Sequence, residues 1–144
     1  MKTFVDTNIL VYAHDTDAGG KHDTAKALLA ELWDSRSGSL STQVLQEFYA
    51  NVTRKCPPAR DQVQAEIHNL LSWRPVSIDA EILESSWKIQ ERYQLSFWDS
   101  LIVAAAKGAS CRYLLTEDMQ ADQDLGGVLV VNPFRSDPAE ILNK

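Results

Sequence analysis

At 144 residues, with 44% apolar and 24% charged residues, the chain is long enough for one domain with a real core and too short for two ordinary ones, and this composition excludes disorder of the main body. A net charge of −6, from 20 acids against 14 bases, argues against indiscriminate nucleic-acid binding of the kind a basic patch supports. Cys56 and Cys111 match no metal-ligand spacing and no disulfide framework. With no apolar leader and no stretch of transmembrane length, the chain reads as a reduced, soluble, cytoplasmic protein with no membrane partner.

Residues 3–6 form a short apolar run that suits a buried strand ending at Asp6, followed by a turn at Thr7-Asn8 and apolar Ile9 to Tyr12. A loop from Asp15 to Gly20 leads into a helix over about His22 to Trp33, where Ala25, Leu28, Leu29, Leu32 and Trp33 keep the helical period. Ser35 to Gly38 breaks the chain, Ser39 to Thr42 reads as a short strand, and Thr42 is the expected N-cap of a helix from Gln43 to about Arg54. Pro57-Pro58 ends that helix. A further helix is expected near 59–73, then an extended Pro75 to Ile78, then a helix capped by Asp79 and running to about Tyr93. Trp98 to Lys107 is strongly helical, with Gly108 as an expected left-handed cap. Arg112 to Thr116 and Val128 to Val131 read as buried strands on either side of an acidic loop, Glu117 to Asp124. Short β-branched strands alternating with helices predict a mainly parallel sheet covered on both faces. One domain over 1–135 and a tail over 136–144 are expected.

Four acids stand where these apolar elements begin or end: Asp6, Glu47, Asp99 and Asp118. Carboxylates are rarely buried without a positive partner. Yet no Lys or Arg lies within three residues of Glu47 or Asp118, or within five of Asp99. Asp6 and Asp118 both follow strands, so a parallel sheet carries them to its carboxyl edge, where ligands collect. Glu47 and Asp99, each early in a helix, can reach that edge from the flanks. Such a set offers only hard oxygen donors, which favours Mg²⁺ or Mn²⁺. Thr7, Asn8, Ser100 and Thr116 are placed to orient the carboxylates. Taken singly, each acid has an ordinary reading: Asp6 as a turn cap with Asn8, Glu47 as a solvated helix residue, Asp99 as a first-turn acid, Asp118 as one loop acid among several. The metal reading rests on the set. Setting the four aside leaves 16 acids against 14 bases, so the net charge is a weak argument against a phosphate-bearing substrate.

The ordered contexts Phe4-Val5-Asp6-Thr7-Asn8, Thr42-Gln43-Val44-Leu45-Gln46-Glu47-Phe48, Phe97-Trp98-Asp99-Ser100-Leu101 and Leu114-Leu115-Thr116-Glu117-Asp118, with Val130-Val131-Asn132-Pro133-Phe134 beyond, resemble the PIN domain and, within it, the VapC-like toxins of type II toxin–antitoxin systems. The resemblance covers about the first 135 residues. It implies a three-layer α/β/α sandwich and a Mg²⁺- or Mn²⁺-dependent endoribonuclease using Asp6, Glu47, Asp99 and Asp118 as metal ligands and catalytic residues. It also implies a homodimer and a cognate antitoxin protein covering the active-site groove. In the reading reached this way, a metal-activated water attacks the RNA phosphodiester and no side chain acts as nucleophile. One departure stands out: Ala121-Asp122 occupies the place where members often carry Gly, which leaves Asp122 and Asp124 as an extra ligand or as surface acids.

Two other functions stay open. An aspartyl-phosphate-type phosphatase shares an Asp at the end of the first strand, but it wants a second acid two residues on, where Asn8 stands, and a placed lysine. A catalytically inactive RNA- or protein-binding module on the same fold is the other. Arg54 and Lys55 are candidate RNA-backbone contacts or an ordinary basic helix end. Trp33, Trp73 and Trp87 are expected in the core and Trp98 in core or dimer packing. His14, His22 and His68 are expected at the surface.

Overall fold

The computed structural model describes residues 2–137. The order of elements is β1 (Thr3–Val5), α1 (Thr7–His14), α2 (Gly20–Ser35), β2 (Gly38–Ser39), α3 (Thr42–Lys55), α4 (Arg60–Leu70), α5 (Ala80–Tyr93), α6 (Phe97–Gly108), β3 (Tyr113–Leu115) and β4 (Leu129–Val131). The four strands form one sheet in the order β2-β1-β3-β4, and every pairing is parallel. Helices α1 to α4 pack against one another as one group, α5 packs on α6, and α6 contacts β3, which gives the three-layer α/β/α arrangement expected from the sequence.

The strands are short and bury both faces. Phe4, Val5, Leu114, Leu115, Val130 and Val131 are all within 1% of complete burial, so successive side chains point into two different helical layers. Helix α6 is buried from Ser100 to Ala106, as its nearly continuous apolar sequence requires. The expected extended segment after Pro75 is found: Val76 bridges Ser41 in parallel and continues the sheet beyond β2.

Several local expectations are corrected. Thr7-Asn8 is not a turn but the first part of α1, because Asp6 caps the helix by accepting from the Thr7 amide. Ser41, not Thr42, caps α3, its hydroxyl accepting from the Val44 amide at 3.4 Å. Gly108 stays helical, and Ser110 takes the left-handed conformation, at φ 58°. The helix near 59–73 is divided: 3-10 turns over Pro57–Ala59 and Leu71–Trp73 flank α4. Asp79 caps α5 as expected, accepting from the Ile82 amide at 3.0 Å. Trp33, Trp87 and Trp98 are 44%, 54% and 62% exposed and so are not core residues. From residue 138 the expected tail lies outside the described residues.

Trp73 is partly buried because Gly38 leaves room for it. A Cβ on Gly38 would lie 2.4 Å from Trp73 Cη2 and 2.5 Å from Cζ3, and an indole moves only as a rigid plate. Gly38→Ala is therefore expected to cost about 1–3 kcal/mol by overpacking. Gly20→Ala, whose Cβ meets nothing within 4 Å, is expected to be neutral or slightly stabilising. Urea melts of the two variants check this, and equal midpoints would refute the steric account.

Candidate active site

The chain leaves β1 toward β2 on one side and later adds β3 and β4 on the other, so the strand order reverses between β1 and β3. Crevices form at the carboxyl end of such a switch point. Val5 pairs with Leu115, which places Asp6 beside Thr116 at that edge. A cavity of about 320 Å³ opens there, and Asp6, Glu47, Asp99 and Asp118 all line it. Asp6 comes from the end of β1, Glu47 from the second turn of α3, Asp99 from the first turn of α6, and Asp118 from the loop after β3. Ser96 sets the entry of α6 by accepting from the Asp99 amide at 3.1 Å.

A continuous hydrogen-bond system joins the acids. Thr7 N donates to Asp6 Oδ1 at 2.7 Å, and Thr116 Oγ1 donates to Asp6 Oδ2 at 2.8 Å. Asn8 Nδ2 donates to Thr116 Oγ1 at 3.1 Å and to Asp118 Oδ2 at 3.0 Å. The Asp118 amide also donates to Thr116 Oγ1, at 3.1 Å. Glu47 accepts from Thr7 Oγ1 at 2.9 Å and from Gln43 Nε2 at 2.8 Å. Ser100 is placed elsewhere: it donates to Ser96 O at 2.7 Å within its own helix and does not line the cavity. Gln43 was missed by the sequence reading, although its place four residues before Glu47 on one helix was a usable signal.

Electrostatics bind the four into one unit. Burial pushes Asp6 from 3.8 up to about 6, against the lowering effect of its bonds from Thr116 and Thr7, and the charges of Asp118 and Glu47 push the same way. A helix N-terminus favours a carboxylate, yet here desolvation wins. Burial also raises Asp99, against the effect of Ser96, and the same two charges add to the rise. Among the described residues, the only Lys or Arg lining the cavity is Lys55; Arg54 does not reach it.

The donor set suits a hard divalent cation: it is oxygen only, and among the described residues Asp6, 4% exposed, has no ion-pair partner and the buried Gln43 Oε1 has no hydrogen-bond partner. Among the described residues, no three His, Cys, Asp or Glu side chains are gathered closely enough to hold a metal as they stand. The carboxylates rest instead on Thr7, Asn8, Gln43 and Thr116.

The loop acids separate clearly. Glu117 accepts from Tyr12 Oη and from Lys21 Nζ, the latter at 2.9 Å. Burial acts to raise its carboxyl, but these two bonds outweigh it and hold the group below the usual range. This tie fastens the Asp118 loop to α1 and α2. Asp124 pairs with Arg112 at 3.5 Å and accepts from the Gly127 amide, and Asp122 is exposed; neither lines the cavity. His14 meets Glu66 at 2.8 Å, His22 meets Tyr12 O at 3.0 Å, and His68 is exposed. Both cysteines are free thiols, Cys56 exposed and Cys111 buried.

Because the folded-state value of Asp6 lies above 3.8, this group favours folding below about pH 4, and that contribution is lost as pH rises through about 6. A gap of roughly two units is worth about 3 kcal/mol. In chelator, the stability of Asp6→Asn relative to the unsubstituted protein is expected to improve by about 3 kcal/mol from about pH 4 to about pH 7. A pH-independent difference in urea unfolding would refute this.

The PIN domain family matches residues 3–123. No curated protein sequence matches. Among solved structures, VapBC2 from Rickettsia felis, solved bound to a DNA fragment from their promoter, superposes with a TM-score of 0.65 at 20% identity over 92% of this chain and 98% of that one. A toxin–antitoxin complex from Klebsiella pneumoniae gives 0.67 at 21% identity over 89% and 96%. VapC20 from Mycobacterium tuberculosis, a sarcin–ricin loop cleaving toxin, gives 0.61 at 23% identity over 78% and 87%. Fold, strand order and family match agree, and the chain belongs to the PIN domain family.

Proposed function

We propose that the protein is a divalent-metal-dependent endoribonuclease and the toxin of a toxin–antitoxin pair. The observation that carries this is the meeting of Asp6, Glu47, Asp99 and Asp118 in one cavity at the strand-order reversal, with a single lysine among them. We assign the metal, Mg²⁺ or Mn²⁺, to these four carboxylates. When bound, the ion lowers the pKa of a water and offsets charge at phosphorus. Thr7, Asn8 and Thr116 hold the carboxylates in register, and Gln43 does the same for Glu47. The toxin assignment is supported by the neighbours, among them a toxin–antitoxin complex and an RNA-loop-cleaving toxin. On that reading the partners are RNA, a cognate antitoxin and a second copy of this chain. The place of action is the cytoplasm, and residues 1–135 act as one nuclease unit. Among the described residues, no helix is long and apolar enough to cross a membrane.

The aspartyl-phosphate alternative is less well supported. Asn8 spends its amide donors on Thr116 and Asp118, and the cavity's one lysine, Lys55, stands at the far end of α3 from Gln43.

Labelled RNA is expected to be cleaved with Mg²⁺ or Mn²⁺, and cleavage is expected to fall at least a hundredfold in chelator or in Asp6→Asn and Asp99→Asn. Undiminished cleavage in chelator, or by both variants, would overturn the assignment, and a trapped phosphoenzyme would restore the phosphatase. Millimolar Mn²⁺ is also expected to raise the melting temperature, since an ion binding only the native form adds about 2.7 kcal/mol at a hundred times its dissociation constant. An unmoved calorimetric transition would count against metal binding by the native fold.

A further inference from the structure

At the opposite edge of the sheet lies a second cavity, of about 690 Å³, whose makeup inverts that of the first. Lys2, Arg36 and Arg74 line it together with Trp33 and Trp73, and no acid does. Lys2 precedes β1, Arg36 precedes β2, and Arg74 precedes the Val76 bridge, so topology gathers three cations at the amino ends of neighbouring strands. Among the described residues none of the three forms an ion pair, and neither tryptophan carries a cation over its ring. In a chain of net charge −6, three unpaired cations around one hollow are a marked local excess.

The hollow has a shaped wall. Gly38 lets the Trp73 ring lie against the strand backbone, and Trp33 sits 5.9 Å from it at 42°, 44% exposed. Arg36 and Arg74 both adopt φ 56°, which turns the chain sharply at the rim.

We propose that this cavity is an accessory site for single-stranded RNA, with a base against Trp33 and Trp73 and flanking phosphates on Arg36, Arg74 and Lys2. An exposed ring, Trp33, packed beside the partly buried Trp73 and next to unpaired cations is the chemistry that binds single strands without sequence preference. The proposal rests on the ribonuclease reading and supplies something the active-site cavity lacks. Five carboxylates, those of Asp6, Asp15, Glu47, Asp99 and Asp118, line that cavity against Lys55, so it attracts few phosphates beyond the scissile one.

The test is anisotropy of a labelled twelve-nucleotide RNA with Asp99→Asn in chelator, alone and combined with Arg36→Gln/Arg74→Gln or with Trp33→Leu. Gln tolerates φ 56° as Arg does, and Trp33 is exposed, so melting temperatures are expected to hold. The double Arg change is expected to weaken binding at least tenfold and to flatten the log–log salt slope by about 1.4, at ~0.7 per lost phosphate contact. Trp33→Leu is expected to weaken binding with the slope unchanged. Cleavage of a dinucleotide, too short to span both edges, is expected to be unaffected by these changes in the Asp99 background. Affinity and slope that do not respond to the Arg change, no measurable binding by the parent, or equal binding of a polyglutamate peptide would overturn the accessory site. If the intact protein cleaves RNA while the Arg change leaves binding untouched, only this inference falls. If the Arg change abolishes RNA binding while no RNA is cleaved under any metal, the ribonuclease reading falls and the accessory site stands.

Discussion

The arrangement of this molecule depends on one buried anionic group. Asp6 ends the central strand and starts the first helix, and among the described residues it does both with no ion-pair partner. Its carboxylate is held in burial by the Thr7 amide and the Thr116 hydroxyl, with a longer bond from Asn8 Nδ2 at 3.5 Å, and these tie together α1, β1 and the end of β3. Removing that carboxylate from water costs more than these bonds return, which is why its proton affinity rises. A fold that buries such a group at the carboxyl edge of its sheet keeps an electrostatic strain beside the cavity the four acids line.

The sheet explains why that edge is so small. Strands of two and three residues offer few ladder bonds, and cohesion comes from both faces being packed with Phe4, Leu114, Leu115 and Val130. Because the strands are short, each acid is only a residue or three beyond buried core. Small shifts in core packing therefore reach the site directly, and Ser96, by fixing where α6 begins, sets the depth of Asp99.

Much of this was legible in the chain. Asp79 followed by a periodic apolar run gave α5 and its cap, and the short β-branched runs gave the parallel sheet. The four acids were found because each interrupts an apolar context, which is a local signal. What failed was also local in origin. Thr7-Asn8 read as a turn because polar residues after a strand usually are one, and only the N-cap geometry of Asp6 makes them helical. Thr42 and Ser41 are equivalent as caps by residue type, and the Thr42 amide's bond to Val76 O, a long-range contact, helps decide between them. Trp33 and Trp87 keep the helical period yet stay exposed, because periodicity says which residues share a face and not whether another element covers it. Ser100 was assigned to the carboxylates by proximity in sequence, whereas a buried serine inside a helix bonds to the carbonyl four residues back.

The hydroxyl of Thr116 has one proton and two lone pairs, and all three are in use: it gives its proton to Asp6 and receives from Asn8 and the Asp118 amide. The direction of every bond in that network is thereby fixed. An amide at position 6 would offer a donor to an oxygen with no acceptor capacity left, and a valine at 116 would strand three partners together. Positions 6, 8, 116 and 118 therefore change as one mutational unit: the effect of a double substitution among them departs from the sum of its parts, and any replacement at one is constrained by the hydrogen-bond polarity of the rest.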